Sequence, residues 1–170
     1  MSEANAVQPR TKGKVTVITG ASGGIGSALS QEFLALGYKV AMCDKNPPSS
    51  RTQSSRSRYF RMDVRERSDV KVAIRRITRM WGRIDVLVNN AGIRTMMPIE
   101  DYDEAKFTAM WNTNFMGTLH ATLAALPFLK RTKGRVINMS SMSGFGNILT
   151  GSTFYAVSKA AIMVFTRRLA

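Results

Sequence analysis

The chain has very little of the chemistry that disulfides and metal sites need. Its 170 residues include one cysteine, Cys43, and one histidine, His120. A single cysteine excludes an internal disulfide, and one residue of each kind leaves no Cys/His cluster for a metal ion. The sequence therefore predicts no metal site, and both side chains are expected to be packing groups.

Long apolar runs are also missing. No stretch approaches the roughly 20 apolar residues that a membrane-spanning helix needs. Residues 1–14 contain no apolar segment of the kind found in signal peptides. We therefore expect a cytoplasmic protein with no membrane partner. A composition of 44% apolar and 8% aromatic residues is ordinary for one globular domain of this length.

Acidic residues are scarce, since 11 Asp and Glu face 25 Lys and Arg, and the net charge is +14. Residues 45–83 hold twelve of the basic residues and three acidic ones, a net charge of +9. Such a segment could attract an acidic protein or nucleic acid. Because no nucleic-acid motif accompanies it, a solvated basic face is the favoured interpretation and nucleic acid is not the expected partner.

Apolar runs typical of strands alternate with apolar residues at helical spacing from residue 14 onward. Residues 1–13 are polar and predict a flexible tail, and the Pro- and Ser-rich stretch 46–57 predicts a loop. Ser68 is the predicted N-cap of the second helix. The predicted elements are strands over 15–18, 38–43, 58–62, 84–88 and 135–139, and helices over 25–36, 68–80, 103–129 and 153–169. This alternation predicts an α/β domain over 14–170, a doubly wound parallel sheet with helices on both faces.

A glycine-rich turn, Thr19-Gly20-Ala21-Ser22-Gly23-Gly24-Ile25-Gly26, joins the first predicted strand to the first helix. Backbone N–H groups and the helix dipole can receive a pyrophosphate there. Gly20 would permit the tight turn, Gly24 the close approach of a phosphate, and Gly26 the packing of helix on sheet. The turn predicts a Rossmann-type dinucleotide site that includes Ser22, Gly23 and Ile25. A merely structural connection is the alternative.

Asp44 ends the second predicted strand, 24 residues after Gly20. A carboxylate at this position can accept hydrogen bonds from both ribose hydroxyls of the adenosine half, and it would repel a 2′-phosphate. The sequence therefore favours NAD as the cofactor. Lys45 and the arginine-rich loop leave NADP open, because either could reach a 2′-phosphate.

Tyr155 and Lys159 lie four residues apart on the last predicted helix. Residues at that spacing share a helix face, so the lysine charge can favour the phenolate form of the tyrosine. The pair thus predicts an acid–base group that works near neutral pH. Alone, however, such a pair also occurs by chance on amphipathic helices.

Four motifs together resemble the short-chain dehydrogenase/reductase family: Thr19-Gly-x-x-x-Gly-x-Gly26, Asn89-Asn90-Ala91-Gly92, Ser141 and Tyr155-x-x-x-Lys159. The resemblance covers about residues 14–170 and belongs to the subgroup with the TGxxxGxG and YxxxK motifs. It implies an NAD(P)-dependent oxidoreductase that interconverts a ketone and a secondary alcohol by hydride transfer. A 3-oxoacyl reductase-like activity is one form of this expectation.

The resemblance also implies roles for individual residues. Asn114, Ser141, Tyr155 and Lys159 match the catalytic tetrad, with Asn112 and Ser140 as the alternative asparagine and serine. Asp63, followed by Val64, matches the residue that contacts adenine, and Asn90, Ala91 and Gly92 match the segment that lines the cofactor cleft. Tyr155 would donate the proton and Lys159 would also bind the nicotinamide ribose. Homodimers or homotetramers are implied, through helices that carry Phe107, Trp111, Leu123 and Phe165.

The chain departs from the family pattern at its end, Ala170. Members generally continue with further strands and a substrate-covering segment, so a fragment, a partner-completed sheet and an incomplete homologue all stay open. A non-catalytic nucleotide-binding or interaction protein that uses its basic surface is the alternative function.

Two side-chain groups carry hints about the substrate. Met96, Met97, Met142, Phe145 and Leu149 could line an apolar pocket or belong to the core. Lys130, Arg131, Lys133, Arg167 and Arg168 are expected near the cleft, where they would suit an acidic or thioester-linked substrate.

Overall fold

The computed structural model describes residues 11, 13–48, 54–146 and 151–170. Nearly all of the predicted tail 1–13 and the middle of the predicted loop 46–57 lie outside the described residues, as does Leu149.

The described residues form five strands and five α-helices, which alternate along the chain except that β3 follows β2 and α4 follows α3. In order they are β1 (Val15–Thr19), α1 (Gly24–Ala35), β2 (Lys39–Asp44), β3 (Ser57–Arg61), α2 (Arg67–Trp81), β4 (Val86–Asn89), α3 (Glu104–Trp111), α4 (Gly117–Thr132), β5 (Arg135–Asn138) and α5 (Thr153–Leu169). Short 3-10 helices at Ile99–Asp101 and Met142–Phe145, which the sequence did not predict, complete the set. No helix in these described segments is long and apolar enough to cross a membrane.

The strands form one parallel sheet in the order β3-β2-β1-β4-β5. Val17 of β1 pairs with Ala41 on one side and with Leu87 on the other. The chain thus builds the sheet outward in one direction from β1 and then in the opposite direction through β4 and β5. At such a switch point the helices diverge and leave a crevice at the carboxyl ends of the strands.

Apolar side chains on both faces of the sheet form two cores. Val15 and Val17 of β1 belong to the core that includes Val70 and Ile74 of α2 and Ala121 of α4. The other core lies on the side of α1 and contains Ile18, Val40, Met42, Val86 and Val88, with Leu29 and Phe33 packed against it. Burial of both strand faces explains why these strands read as nearly continuous apolar runs. The predicted doubly wound α/β fold is confirmed.

The predicted helical stretch over 103–129 is confirmed, but its division by a π turn and its end at Thr132 were not predicted. The chain forms α3, a π-helical turn at Asn112–Met116, and α4, which continues to Thr132. A π turn inserts an extra residue into the helix and redirects the side chains within it. Pro127 lies inside α4 without ending it.

The start of α2 was predicted incorrectly. Ser68 is not the N-cap, because the helix begins at Arg67 and Glu66 occupies the N-cap position without a side-chain bond to the helix. The prediction for α5 is confirmed at both ends, Thr153 and Leu169.

A buried carboxylate joins the amino ends of β1 and β4, at the edge of the sheet opposite the crevice. Asp85 accepts a hydrogen bond of 2.8 Å from the Val15 N–H group. It also accepts bonds of 2.9 and 2.6 Å from Arg83. Charge-assisted, bidentate bonds of this kind are among the strongest in proteins.

We predict that Asp85→Ala lowers the free energy of unfolding by about 3 kcal/mol, because it leaves a buried N–H group and an arginine without their acceptor. Urea denaturation measures the change. Asp69→Ala is the matched control, since Asp69 pairs with a largely exposed Arg61 and should cost less than about 1 kcal/mol. Equal losses in the two variants would contradict the proposed role of Asp85.

Candidate functional site

Glycines form the turn after β1 because two of them lie against other backbone atoms. Gly20 has a φ of +64°, and a Cβ added there would lie 2.8 Å from the Cα atom of Ala91. A Cβ on Gly26 would overlap the Gly20 carbonyl oxygen. The turn and the start of α1 therefore pack directly against the segment that follows β4. This packing is possible because Gly20 and Gly26 have no side chain.

Gly24, at the start of α1, faces open space instead. A Cβ on Gly24 would meet nothing within 4 Å. Gly23 is the N-cap of α1, and no side chain caps that helix end. Uncapped N–H groups at a helix N-terminus favour bound anions such as phosphate. This turn has the room and the donors that the diphosphate of a dinucleotide needs.

An open cavity of about 390 Å³ lies along the carboxyl ends of the central strands, within the size range of small-molecule sites. Eleven predicted cofactor residues line it: Gly20, Gly23, Gly24, Ile25, Gly26, Asp44, Asp63, Val64, Asn90, Ala91 and Gly92. Four residues that sequence reasoning missed also line it: Met62, Arg65, Ile93 and Thr113. Lys45, which the sequence placed within reach of a 2′-phosphate, lines it as well. Ser22, Tyr155 and Lys159 are not among the lining residues; the Ser22 hydroxyl donates to the Asn46 carbonyl oxygen at 2.7 Å.

Asp44 lies at the end of β2, on the rim of the cavity. One carboxylate oxygen accepts a 3.0 Å hydrogen bond from the Ser22 N–H group. The other accepts a 3.0 Å bond from the Asn46 N–H group. These two bonds fix the carboxylate beside the glycine turn, where a ribose attached to the diphosphate would lie.

Asp63 and Arg65 form an ion pair within the cavity lining. The Arg65 Nη2 atom lies 2.6 Å from one Asp63 oxygen, and the Arg65 N–H group donates to the other at 3.0 Å. The hydrogen bonds from Arg65 lower the pKa of the Asp63 carboxyl below its usual range. The predicted adenine contact is therefore an ionised, arginine-bound carboxylate. In the sequence, the available signal for this ion pair is that Asp63 and Arg65 lie two residues apart.

Asn90 ties β4 to the glycine turn. Its side-chain amide donates to the carbonyl oxygens of Thr19 and Gly20 at 3.0 and 3.1 Å. Its backbone N–H group donates to the Thr19 hydroxyl at 3.0 Å. The Asn90 side chain therefore holds the turn in position, while the residue as a whole lines the cavity.

Lys159 is buried on α5 and points toward the inner end of this crevice. Only 4% of the residue is exposed, and its Nζ atom donates a 2.8 Å hydrogen bond to the Met139 carbonyl oxygen. The Nζ atom lies 5.7 Å from the centroid of the Tyr155 ring. Burial lowers the pKa of Lys159 below its ordinary value. The predicted Tyr155–Lys159 pair is therefore close in space as well as in sequence.

Asn114 lies in the π turn and is fully buried. Its side chain accepts a 2.8 Å bond from the Ile93 N–H group and donates 3.0 Å bonds to the Ile93 carbonyl and the Ser158 hydroxyl. A Cβ added to Gly92 would lie 3.2 Å from Asn114 Oδ1 and 3.4 Å from Lys159 Nζ. Asn114, Gly92 and Lys159 thus meet where the cavity lining ends. The alternative residue, Asn112, begins the same turn and is half-buried.

The two candidate serines follow β5 and differ in their contacts. The Ser140 hydroxyl donates a 2.9 Å bond to the Lys159 carbonyl oxygen and so fastens this segment to α5. The Ser141 hydroxyl accepts a 3.2 Å bond from the Ser143 N–H group, and its own proton has no acceptor among the residues that the structure describes. Of the two, Ser141 is the one whose hydroxyl proton is not used by the backbone.

The five basic residues expected near the cleft do not lie there. Lys130, Arg131 and Lys133 fall at the end of α4, before β5 begins. Arg167 and Arg168 are in the last turn of α5, about 18 Å along the helix axis from Tyr155. They belong to the opposite end of these elements, so the argument for an acidic or thioester-linked substrate from these charges is wrong.

Large apolar side chains are exposed on the segments that follow β4 and β5. Met142 and Phe145, on the 3-10 helix after β5, are 74% and 69% exposed, and Met96 is also exposed; none of the three is among the residues that line the cavity. Met97 is buried and is a packing residue. Large exposed apolar side chains indicate a ligand or a covering segment with apolar surface.

Comparisons with known proteins agree with this geometry. The model of the family described as short chain dehydrogenase matches residues 14–170. An L-fucose dehydrogenase of Oryctolagus cuniculus is 34% identical over 165 residues, which are 95% of this chain and 58% of the relative. The 11-beta-hydroxysteroid dehydrogenase-like 4A of Arabidopsis thaliana is 36% identical over 169 residues, 94% of this chain and 56% of the relative.

Solved structures give the same result. The ligand-free aldohexose dehydrogenase of Thermoplasma acidophilum superposes with a TM-score of 0.86 at 31% identity, over 95% of this chain and 62% of that structure. The chain therefore spans about three fifths of the length of the relatives it matches. A family match over residues 14–170, together with the parallel sheet and its crevice, shows that this chain belongs to the short-chain dehydrogenase family of oxidoreductases.

Proposed function

We propose that residues 14–170 bind a nicotinamide dinucleotide and that the protein interconverts a ketone and a secondary alcohol. The observation that carries this proposal is the meeting of Lys159, Asn114 and Gly92 at the inner end of the cavity that begins at the glycine turn. A group bound with its diphosphate at α1 and its ribose at Asp44 has its other half directed toward Gly92 and the acid–base pair.

The bound cofactor supplies or accepts the hydride, and the protein side chains handle the proton. In the direction of reduction, Tyr155 gives its phenolic proton to the carbonyl oxygen, which becomes the alcohol oxygen. The free Ser141 proton supplies a second hydrogen bond to the same oxygen as its negative charge grows. In oxidation the same groups act in reverse, with Tyr155 as the base.

Lys159 and Asn114 support Tyr155 in this proposal. A buried ammonium beside the phenol stabilises the phenolate that remains after proton donation. Asn114, bonded to Ile93 and Ser158, fixes the backbone on both sides of the site and is the candidate for holding a water that returns the proton. The Tyr155 proton can then be restored after each turnover.

Two substrate classes are the first to test. Two of the similar proteins are named for L-fucose and aldohexose, so sugars oxidised at a hydroxyl-bearing carbon are the first. The exposed Met142 and Phe145 favour a substrate with an apolar part, so 3-oxoacyl compounds are the second.

Tyr155→Phe is predicted to lower kcat of the full-length protein by about 10²–10⁴-fold, because it removes the phenolic hydroxyl that donates the proton and leaves the ring in place. Steady-state assays with sugars and ketones follow NADH absorbance, and NADH fluorescence titration measures cofactor affinity, which should stay within about threefold. Tyr38→Phe is the matched control, since Tyr38 packs against Phe33 in the core beside α1. Full activity in Tyr155→Phe would sink the proposed mechanism.

We propose NAD as the preferred cofactor, because the fixed Asp44 carboxylate would repel a 2′-phosphate. Lys45 and Arg65 on the same rim are the residues that would favour NADP. We predict that the unchanged protein binds NADH at least tenfold more tightly than NADPH, and that Asp44→Asn narrows this preference about tenfold. Fluorescence titration measures both constants, with Asp101→Asn as a control far from the cavity lining. If the unchanged protein prefers NADPH, Lys45 and Arg65, and not Asp44, determine the cofactor preference.

We also propose a dimer through the outer faces of α4 and α5. Leu123 on α4 and Val157 and Val164 on α5 are large apolar residues that are exposed in the single chain. A continuous series of ring contacts joins Phe107, Trp111, Phe115 and Phe165. Such a surface resembles the apolar core of an obligate interface.

Sedimentation equilibrium is expected to give twice the chain mass of 18.8 kDa, and Leu123→Glu is expected to give the monomer, because a carboxylate cannot be buried in an apolar interface. Leu36→Glu, at an exposed leucine beyond α1, is the control and should remain dimeric. A native monomer at high concentration argues against this interface.

A further inference from the structure

The outer face of α2 carries a series of basic side chains at four-residue spacing. Arg67, Lys71, Arg75 and Arg79 are all exposed. Residues four apart lie on one side of a helix, and the series extends about 18 Å along the axis at 1.5 Å per residue. Arg76 is exposed beside it. We refer to these five residues as the basic stripe.

No carboxylate neutralises the stripe within the residues that the structure describes. The ion pairs nearest to it use other cations: Asp69 pairs with Arg61 and Asp63 with Arg65. The sequence alone shows only an excess of basic residues over 45–83. The fold shows in addition that five of them are exposed on the solvent-facing half of one helix, without an ion pair to any residue that the structure describes.

We propose that the basic stripe binds the phosphate backbone of a double-stranded nucleic acid without reading its sequence. One strand of a duplex carries a phosphate about every 3.4 Å of axis and winds around that axis, so a stripe about 18 Å long with five cations can neutralise at most about five phosphates. Four of the five cations are arginines, whose planar fork matches phosphate oxygens. Charge number, length and donor geometry therefore all fit this partner, independently of the oxidoreductase function.

The exposed face of α2 does not fit a single strand or a protein equally well. Single-strand sites need exposed aromatic rings on which bases stack. Trp81 is the aromatic residue of this helix, and it is half-buried against Phe60. Protein interfaces need a similar apolar or aromatic centre, and the exposed face of α2 offers only Val72 and Met80.

A membrane surface fits less well for a related reason. Helices that lie in the lipid interface insert an apolar face. The apolar face of α2, with Val70, Ala73, Ile74 and Ile77, is buried in the protein core. The exposed side of α2 is mostly charged, with Val72 and Met80 as its large apolar residues, and such a side suits a polyanion.

Fluorescence anisotropy with a labelled 20-base-pair duplex tests the proposal on the whole chain. Five neutralised phosphates give a slope of log affinity against log salt of about −4.5, or a loss of about 500-fold between 50 and 200 mM salt. The triple variant Lys71→Gln, Arg75→Gln, Arg79→Gln should reduce the slope to about −2. Circular dichroism and the melting temperature establish that each variant is folded.

The matched control removes the same three charges elsewhere, as Lys130→Gln, Arg167→Gln, Arg168→Gln, at exposed sites at the ends of α4 and α5. It should keep the native slope. The variant Arg75→Lys, Arg79→Lys retains the charge and should keep the slope within about one unit, with weaker affinity from loss of the fork. Duplex DNA and duplex RNA should bind similarly.

Three results would overturn the proposal. The first is a native slope shallower than about −2, which would mean that the stripe does not neutralise a row of phosphates. The second is an equal loss of slope in the stripe variant and in its control, which would mean that binding depends on the net charge of the protein and not on the stripe. The third is displacement of the duplex at equal charge by polyglutamate or by phosphatidylserine vesicles, which would assign the stripe to an acidic protein or a membrane.

Discussion

The close contact between the glycine turn and the segment after β4 is the constraint on which the site depends. Gly20 and Gly26 permit two pieces of backbone to approach at a distance that any side chain would prevent. The Asn90 side chain then bonds the two carbonyl groups at the start of the turn. With the turn fixed at the switch point of the sheet, the amino end of α1, Asp44 and Gly92 all face one crevice. The cavity is a consequence of this contact.

The inner end of the crevice combines burial with charge. Lys159 is held away from water, which costs free energy for an ammonium and lowers its pKa. Its bond to the Met139 carbonyl offsets part of that cost and fixes the Nζ atom near Tyr155. The segment after β5 and the first turns of α5 are thereby joined, and the Ser140 hydroxyl adds a second link between them. At the cost of desolvating the Lys159 ammonium, the fold holds a fixed positive charge near the Tyr155 phenol.

Much of the fold could be predicted because its signals are local. The helix at Thr153–Leu169 and the strand at Val15–Thr19 follow from apolar spacing over consecutive residues. The π turn around Asn114 could not, since it coincides with a buried side chain that bonds Ile93 and Ser158, 21 and 44 residues away. Contacts of that range leave no periodic pattern in the sequence.

The same distinction applies to the candidate site. The glycine turn, Asp44 and the family resemblance together indicated eleven residues that line the cavity, because the turn and the ends of β2, β3 and β4 converge in a sheet of this topology. Arg65 was missed as a lining residue, because side chains on a rim depend on loop conformation. The charges at Lys130–Lys133 and Arg167–Arg168 were placed at the wrong end, since closeness in sequence to β5 and α5 does not fix which end of the sheet they reach.

The most direct test of the central claim is NMR of the isotopically labelled chain during titration with NAD⁺. If the cavity takes the dinucleotide, the backbone amide signals of Gly24 and Ile25 should shift first and most, because their N–H groups lie at the uncapped start of α1. Gly92 and Ile93 should follow in the same titration, since they line the other end of the same cavity. Saturating shifts confined to other surfaces, or no shift at millimolar NAD⁺ and NADP⁺, would contradict the account.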